Sequence, residues 1–546
     1  MSRIYFIFFV AILAACASQQ PPGGGPKDLE PPHVVKSVPP PFATDFTGQS
    51  VRLTFSEFVK LSNPSSGIYL SPALSQPLSF RLRGKTLRIA FADSLRANTT
   101  YTLFLGNAIS DLTEGNVLKD YRYVFSTGAA VDSLRLRGRV IHARTGQPQA
   151  NMLVMLHKDL SDSAVVRRLP DYFVRTDSSG FFDLNYLRAG TYRLFALSDD
   201  NQNYLYDQSS ELIAFEPQPI TVSDTTTFVT LRAFQALPQQ QLRQVRTVGP
   251  RVVQVVLARP YGQPQVSVPD NALPVATWRN ASRDTLLTWL LQPADSIRLH
   301  IVDGDFSDTV LVSMQPPASR RKAAGAAGQT FRLASALSGM FVSDSGALLL
   351  APSLWIDTLD VKVLARVQEG QLPVQQVPMV LETDSVSGRQ FLSMQFPRRL
   401  GYTYRMTVPD SLCRDITGKW NDSLSLTVRV LSDEEGGNVV IRLVWGQQQQ
   451  EKKHLFRLLE QKGSGRYERT LTSQTDRLTF FRLPPARYDA ELIEDENGNG
   501  RWDTGDYWHG VQPERAYLFP AAVTVRSNWD VEVELNLSAT STSNGR

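Results

Sequence analysis

Cysteine and histidine are scarce in this 546-residue chain, and neither sign of charge is in large excess. The two cysteines, Cys16 and Cys413, provide no intrachain disulfide framework. The six histidines show no His-Glu-x-x-His spacing, and no Gly-x-Ser-x-Gly, phosphate-loop or dinucleotide motif occurs. The sequence therefore gives little support for catalysis, and we expect a protein that is not an enzyme and has no small-molecule substrate.

The net charge is also small, and long amphipathic helical patterns are scarce. A formal net charge of +4 over this length is too dilute to predict nucleic-acid binding. The chain is rich in Val, Thr, Leu, Phe and Tyr, separated by Pro, Gly, Asn and Asp, and this composition favours strands. We therefore predict an all-β fold of tandem β-sandwiches, with about five domains at ~100 to 200 residues each.

The N-terminus has a short apolar run that ends at a cysteine. Arg3 precedes the run 4–13, which is too short to span a bilayer and is typical of a secretory signal. Its end, Leu13-Ala14-Ala15-Cys16, resembles a bacterial lipoprotein signal peptide over residues 1–15. The resemblance implies lipidation of the Cys16 thiol, and each buried methylene would contribute ~0.8 kcal/mol to membrane affinity. The alternative is that Cys16 lies inside an ordinary signal peptide.

The resemblance also suggests a location. Ala17 follows the cysteine, whereas lipoproteins held at an inner membrane often carry Asp there, so we expect lipid anchoring at the outer membrane. Whether the protein faces the periplasm or the exterior stays open. Residues 16–32 are rich in Pro and Gly and predict a tether between lipid and first domain.

Residues 33–128 contain short runs with period-two alternation and turn residues between them, a pattern that predicts a sandwich. The predicted strands lie at 51–55, 87–91, 101–105 and 123–127. With Leu53-Thr54-Phe55-Ser56-Glu57 and the terminal Phe125-Ser126-Thr127-Gly128, this segment resembles the bacterial Ig-like domain of S-layer-type proteins. Within the tether before it, Gly24-Gly25-Pro26-Lys27-Asp28 leading into Pro31-Pro32 resembles the start of Ig-like lipoproteins from Bacteroidota.

Four more β-domains and a tail are expected downstream. Residues 134–236 contain Leu136-Arg137-Gly138-Arg139-Val140, the turn Thr145-Gly146-Gln147-Pro148 and the run Leu187 to Leu194. Together these resemble a transthyretin-like or carboxypeptidase-regulatory-like domain, and residues 438–537 resemble a second copy. Residues 243–316 predict a β-domain that resembles no family closely, and residues 333–431 a diverged Ig-like domain in which Tyr402 to Met406 mirrors Tyr101 to Leu105. Residues 538–546 predict a disordered tail.

A loop rich in Asp and Asn stands in both transthyretin-like copies, at a constant offset of 296 residues. The downstream loop places oxygen donors at positions 1, 3, 5, 9 and 12 of a twelve-residue turn, with Gly500 at position 6. A hard cation such as Ca²⁺ takes six to eight oxygens from such a turn. The predicted ligands are Asp495, Asn497, Asn499, the Arg501 carbonyl, Asp503 and Asp506. The turn resembles an EF-hand loop, although Asp506 replaces the usual Glu and strands replace the flanking helices.

The upstream loop is a weaker candidate for the same ion. It keeps Asp199, Asn201, Asn203 and Asp207, but Tyr204 replaces the glycine, and Ser210 stands at position 12 with Glu211 one place late. Asp, Asn and Gly are also the residues that long turns prefer without any metal. Turn chemistry is therefore the alternative for both loops.

These features predict a non-catalytic, lipid-anchored envelope scaffold or partner-binding protein, such as an accessory subunit of an outer-membrane protein complex. The membrane, reached through the lipid, and an envelope protein are the expected partners. An alternative is an adhesin or glycan-binding lipoprotein, for which Trp502, Tyr507 and Trp508 are the one compact aromatic group. An enzyme accessory module is a remoter alternative.

Overall fold

The computed structural model describes residues 28–537, apart from 225–227, 250, 270–274, 281, 315–330, 336–340, 386 and 446–450. The predicted signal 1–15, Cys16, most of the tether and the tail 538–546 therefore lie outside the described residues. The described chain is built from strands with two one-turn α-helices and one 3-10 turn, which confirms the all-β prediction. No helix in this part of the chain has both the length and the apolar character needed to span a bilayer.

The first sandwich packs three small sheets, with strand orders β1-β2-β6-β5, β4-β7-β9 and β3-β8. Its elements are β1 (Val34–Val38), β2 (Ser50–Phe55), β3 (Val59–Leu61), α1 (Pro64–Gly67), β4 (Tyr69–Ser71), β5 (Ser79–Arg83), β6 (Thr86–Ala90), β7 (Thr100–Phe104), β8 (Ile109–Asp111) and β9 (Arg122–Ser126). Four strands agree with the predicted runs to within one residue. In β2, Val51, Leu53 and Phe55 enter the core while Arg52 points to solvent, as period-two alternation requires.

The second sandwich follows directly. Its elements are β10 (Leu134–His142), β11 (Leu153–His157), α2 (Ala164–Arg167), β12 (Tyr172–Arg175), β13 (Phe181–Leu187), β14 (Gly190–Leu197), β15 (Leu212–Phe215), β16 (Ile220–Val222) and β17 (Val229–Gln235). Strand β10 pairs with β13, β11 with β12 and β14, β14 also with β16, and β15 with β17. All these pairs are antiparallel.

The chain forms two compact units. Of the described residues, the first unit contains those up to Val140 with Gln149–Asp207 and Ala214–Leu231, and the second contains Ile141–Pro148, Gln208–Ile213 and those from Arg232 onward. Three further groups of strands belong to the second unit.

Two groups of strands, the third and fourth of the chain, come first in this second unit. The third group has sheets β18-β19-β22-β21 and β20-β23-β24. Its strands are β18 (Leu242–Gly249), β19 (Val252–Leu257), β20 (Gln265–Ser267), β21 (Val275–Arg279), β22 (Thr285–Leu290), β23 (Ser296–Asp303) and β24 (Phe306–Ser313).

The fourth group has sheets β25-β27-β32-β31, β26-β35-β33-β29-β30 and β28-β34. Its strands are β25 (Leu333–Ser335), β26 (Phe341–Val342), β27 (Leu348–Pro352), β28 (Ile356–Leu359), β29 (Ala365–Glu369), β30 (Gln375–Val377), β31 (Met379–Thr383), β32 (Gln390–Met394), β33 (Thr403–Val408), β34 (Cys413–Asp415) and β35 (Leu424–Val430).

The fifth group contains the downstream Asp/Asn loop. Its elements are β36 (Gly437–Val444), β37 (Lys453–Glu460), β38 (Arg466–Thr472), β39 (Arg477–Leu483), β40 (Arg487–Glu494), the 3-10 turn η1 (Tyr507–His509), β41 (Ala516–Leu518), β42 (Val523–Thr524) and β43 (Asp530–Asn536). The sheets are β39-β36-β43 and β38-β37-β40-β41, with β42 also on β40. Each group of strands encloses its own apolar core, as tandem β-sandwiches do.

The same tyrosine hydroxyl hydrogen bond occurs once in the second strand group and once in the fifth. In the second sandwich the Tyr192 hydroxyl donates to the Arg188 carbonyl at 2.8 Å, and 296 residues later the Tyr488 hydroxyl donates to Pro484 at 2.7 Å. The same bond geometry in the same chain position supports a duplicated domain rather than a duplicated loop.

The first and fourth strand groups share a second recurrent bond. The Tyr101 hydroxyl accepts from the Arg96 N–H at 2.7 Å, and the Tyr404 hydroxyl accepts from the Arg399 N–H at 2.7 Å. Tyr404, which is 1% exposed, thus takes the place of Tyr101, whereas the sequence had suggested Tyr402, which is 43% exposed. The position in the fourth group that corresponds to Tyr101 is therefore two residues later than predicted.

Candidate cation-binding loops

The downstream loop leaves β40 at Glu494 and folds around the Asp495 carboxylate. This carboxylate accepts from the N–H groups of Asn499 and Gly500, each at 2.9 Å. Gly500 has φ of 74°, a conformation that glycine adopts without steric cost and that lets the backbone close on Asp495. The sequence pattern thus folds as expected for a tight turn with alternate side chains directed inward.

The two asparagines converge on one carboxylate. Asn497 donates its amide to Asp503 at 2.6 Å, and the Asn499 amide donates to the same Asp503 oxygen. The Arg501 N–H donates to the Asn499 side-chain oxygen at 3.0 Å, and the Arg501 guanidinium lies 2.9 Å from Asp503. Four of the predicted side chains, those of Asp495, Asn497, Asn499 and Asp503, are therefore held in one hydrogen-bonded turn.

Asp506 is placed differently from the sequence prediction. It caps η1 by accepting from the Trp508 N–H at 3.1 Å, and its other oxygen accepts from Arg259 at 3.0 Å and from His509 at 2.7 Å. None of the contacts that the described residues give Asp506 involves the other four loop side chains. The cap and the Arg259 ion pair account for this, because both direct the carboxylate away from the turn.

Glu514 is a carboxylate that the sequence reasoning missed. It is 8% exposed and accepts from the N–H groups of Glu496 at 3.0 Å and Asp503 at 2.8 Å. Burial raises its pKa to about 7, the charges of Asp503 and Asp495 add to the rise, and the two backbone bonds oppose it. Glu514 therefore brings a third carboxylate against the loop, beside Asp495 and Asp503.

A repeat-based comparison could have found Glu514. The Phe519 N–H donates to Ala490 and the Glu216 N–H donates to Leu194, so these two bonds are equivalent in the two copies. Glu514 precedes Phe519 by five residues, and Glu211, which is fully buried, precedes Glu216 by five. Each copy thus has a buried glutamate at the same chain position, beyond the twelve-residue frame.

The upstream loop reproduces the asparagine arrangement. Asn201 and Asn203 donate their amides to Asp207 at 3.0 and 2.7 Å. Asp199 accepts from the Tyr204 N–H at 3.0 Å, and Tyr204 adopts φ of 64° where the downstream loop has glycine. The upstream side chains predicted as ligands are therefore also brought together.

Arg175 distinguishes the two loops. Its guanidinium donates to the buried Asp199 carboxylate at 3.0 Å, and burial is the main cause that raises the pKa of Asp199. The strand registers place Thr470 at the equivalent position downstream. Among the described residues, Asp495 forms no ion pair. A protein cation thus neutralises the upstream Asp199, whereas no cation of the described part of the chain pairs with Asp495.

No group of three or more His, Cys, Asp or Glu arranged to hold a metal occurs among the described residues. Any ion in the downstream loop would therefore also need the oxygens of Asn497 and Asn499. To bind an ion, each amide would rotate by half a turn so that its oxygen faces inward. The rotation needs little extra space, because the two ends of an amide are nearly isosteric.

The aromatic residues near the loop do not form a shared platform. The Trp502 indole N–H donates to the Glu514 carbonyl at 2.6 Å, and the Arg144 guanidinium covers its ring at 5.7 Å. Tyr507 is buried, and Trp508, at 48%, is exposed with its ring inclined 64° to that of Tyr507. This arrangement is typical of loop packing and does not favour the glycan-binding alternative.

The downstream loop also joins separate strand groups of the second unit. The Thr504 hydroxyl donates to the Gln235 carbonyl at 2.9 Å, and Asp506 pairs with Arg259 of the third group. Gly505 packs so closely on Phe234 that an added Cβ would lie 2.5 Å from the ring. The loop is therefore the contact surface of a joint as well as a turn.

A second joint links the third and fourth groups through tryptophan. Trp289 on β22 stacks on Trp278 at 5.4 Å between ring centroids and lies 6.1 Å from Trp355 of the fourth group. Ile416 belongs to the same apolar cluster, and its carbonyl accepts from Arg251 at 2.9 Å. Apolar burial thus holds these two neighbouring groups together.

Comparison with known proteins identifies the first sandwich. Residues 28–127 match the family model of the bacterial Ig-like domain, in agreement with the sequence prediction for this segment. No curated protein matched the chain.

Three solved structures are similar to this chain at low identity. The S-layer protein SbsC is 10% identical over 90% of this chain and 66% of that chain, with a TM-score of 0.14. BcpA, the major pilin subunit of Bacillus cereus, is 10% identical over 74% of this chain and 99% of its own, and the Escherichia coli adhesin FdeC is 9% identical over 54% and 99%, both with a TM-score of 0.14. The chain thus spans less than two thirds of the length of the S-layer structure, and these likenesses carry no argument about function.

Proposed function

We propose that this chain is a non-catalytic, lipid-anchored protein of the bacterial cell envelope, in which tandem β-sandwiches form a scaffold that binds another envelope protein. The observation that carries the proposal is the tryptophan joint between the third and fourth strand groups. Domains that move independently need no buried contacts with their neighbours. A scaffold that holds its domains at fixed distances from one another does need such contacts. Trp289, Trp355 and Ile416 supply such a contact.

The lipid on Cys16 provides the membrane attachment in this proposal, and the outer membrane is the proposed location. The Ig-like match of residues 28–127 is consistent with an extracytoplasmic protein. Sandwich edges and loops are the surfaces on which a partner would pair. The proposed partner is therefore an envelope protein rather than a nucleic acid or a small molecule.

Purification of the intact protein from detergent-solubilised native membranes tests the scaffold. We expect an outer-membrane protein at constant stoichiometry with the wild type, and a weaker association with Trp289→Ala, in which the joint is broken. A Cys16→Ser chain should leave the membrane fraction and lack acyl mass in its N-terminal peptide. Recovery of the lipidated wild type alone would overturn the scaffold role, and an unlipidated mature chain would overturn the anchor.

A structural Ca²⁺ in the downstream loop is part of the same proposal. Asp495, Asp503 and the buried Glu514 place three carboxylates around one turn, where Arg501 supplies one cation. Like charges in a partly desolvated site favour a bound cation. The upstream loop, whose Asp199 already pairs with Arg175, is proposed to fold without a metal.

Calorimetric titration of the full chain with CaCl₂ tests the ion. One site with a dissociation constant of about 0.1 to 1 mM is expected, in the range of extracellular modules. Asp495→Ala should abolish the heat of binding, whereas the matched upstream variant Asp199→Ala should retain it. Equal titration of both variants, or no heat with the wild type, would refute the calcium site.

A further inference from the structure

The first sandwich exposes a row of arginines on one sheet. Arg52 on β2 lies directly opposite Arg88 on β6, and Arg88 lies directly opposite Arg81 on β5. All three side chains point away from the core and are exposed. Adjacent strands are ~4.8 Å apart, so three guanidinium groups follow one line across the sheet. Arg83 on β5 points to the same face.

We define the arginine face as Arg52, Arg81, Arg83 and Arg88. Within the described residues none of the four lies in an ion pair with a carboxylate, although Arg96 and Arg122 of the same sandwich pair with Asp171 and Asp183. Residues 28–127 contain ten basic and eight acidic side chains, so the face results from segregation of charge rather than from an excess of it.

Like charges directly opposite each other destabilise a sheet pair. A row of three arginines therefore works against the stability of its own sheet, and among the described residues only the 3.3 Å hydrogen bond that Arg88 Nε donates to the Ser50 hydroxyl offsets this. An anionic surface outside the domain would remove the repulsion. Guanidinium groups are well suited to phosphate, which they bind through paired N–H donors.

From these observations we infer that the arginine face docks the first sandwich onto the phosphate headgroups of an anionic lipid surface. The choice of a membrane over a soluble polyanion rests on the proposed lipid at Cys16. Residues 17–33 separate that cysteine from β1, and a chain of this length spans at most about 60 Å. The tether thus keeps the face within reach of the headgroups.

Vesicle co-sedimentation of the unlipidated chain, starting at Ala17, tests the inference without involving the anchor. The vesicles are phosphatidylcholine alone or phosphatidylcholine with about one third phosphatidylglycerol. We expect binding to the anionic vesicles only, and weaker binding as NaCl is raised, because salt screens surface charge. Arg81→Gln/Arg88→Gln should weaken partitioning about twenty-five-fold, at about fivefold for each basic residue.

A matched control removes the same charge elsewhere. Lys60 and Lys119 are exposed in the same sandwich but outside the arginine face, so Lys60→Gln/Lys119→Gln should change partitioning by no more than about twofold. Circular dichroism checks that both double variants remain folded. Equal losses in the two variants, binding to neutral vesicles, or binding to dextran sulfate without binding to vesicles would each overturn the membrane assignment. Failure of lipidation at Cys16 would instead be seen by mass spectrometry and would leave this vesicle result unchanged.

Discussion

Replacement of Trp289 should separate the third and fourth strand groups. Trp289 is 1% exposed, and an aromatic side chain of this kind buries ~150 to 250 Å², equivalent to about 4 to 6 kcal/mol at 25 cal/mol per Å². We expect Trp289→Ala to cost about 3 to 5 kcal/mol, within the usual range for buried aromatics. Part of that loss falls on the fourth group, because Trp289 packs against Trp355.

Trp289→Phe should behave differently. In the part of the chain that the structure describes, the indole N–H of Trp289 is buried and has no hydrogen-bond partner. An unsatisfied buried donor costs about 1 to 3 kcal/mol, so its removal offsets much of the lost ring area. The phenylalanine variant should lie within about 1 kcal/mol of the wild type.

Hydrogen exchange measured by mass spectrometry is the appropriate assay, because a multidomain chain does not unfold in two states. Trp289→Ala should accelerate exchange in peptides covering Trp355 and Ile416. Leu299→Ala, which truncates a fully buried side chain in the third group's own core, should destabilise that group without changing those peptides. Unchanged exchange around Ile416 in Trp289→Ala, or equal damage from alanine and phenylalanine, would refute the role of Trp289 in the joint.

Three further predictions concern single bonds and charges. Tyr488→Phe removes the 2.7 Å bond to the Pro484 carbonyl and should cost about 1 kcal/mol in calorimetric unfolding of the fifth group, whereas a loss near zero would mean that water replaces the bond. Arg88→Gln relieves the repulsion in the arginine row and should raise stability by roughly 0.2 to 1 kcal/mol at low salt, while Arg96→Gln, which breaks the 2.8 Å pair with Asp171, should not. For Glu514, the folded pKa of about 7 lies above the ordinary 4.5, so without calcium the folded chain binds the extra proton between these values. The free energy of unfolding should therefore fall as pH rises through this window, by at most about 1.4 kcal/mol per pH unit, and Glu514→Gln should remove the slope in thermal melts.

Period-two alternation was sufficient to predict strands of the first sandwich to within one residue, because one face of each strand must enter the core. The Asp/Asn loops were also visible, since glycine and amide side chains at fixed spacing determine a turn locally. Glu514 was not visible, because it reaches the loop from beyond η1 and its contribution depends on how β41 returns to β40. Asp506 was predicted in the turn because spacing alone does not reveal the Arg259 pair.

Strand register accounts for the other features that sequence reasoning missed. Arg52, Arg81 and Arg88 are far apart or irregularly spaced along the chain, and they form a row only after β2, β6 and β5 are paired. The same holds for Trp289 and Trp355, which lie in different strand groups. The small net charge did not predict the arginine face, and the positions of the tryptophans along the chain did not predict the joint. Both features form only when strands that are distant in sequence come together.

Gly505 makes the loop joint recognisable from the sequence. An added Cβ there would lie 2.5 Å from the Phe234 ring and 2.8 Å from the Val511 carbonyl, so even alanine would push the two surfaces apart. The adjacent Thr504 bonds a backbone carbonyl, which places no demand on the side chain of Gln235. In chains of this architecture, a Thr-Gly pair at positions 10 and 11 of the downstream loop, together with an aromatic residue at the end of the second sandwich, would therefore indicate which proteins keep this joint. A larger residue at the glycine position would indicate that the joint has been lost.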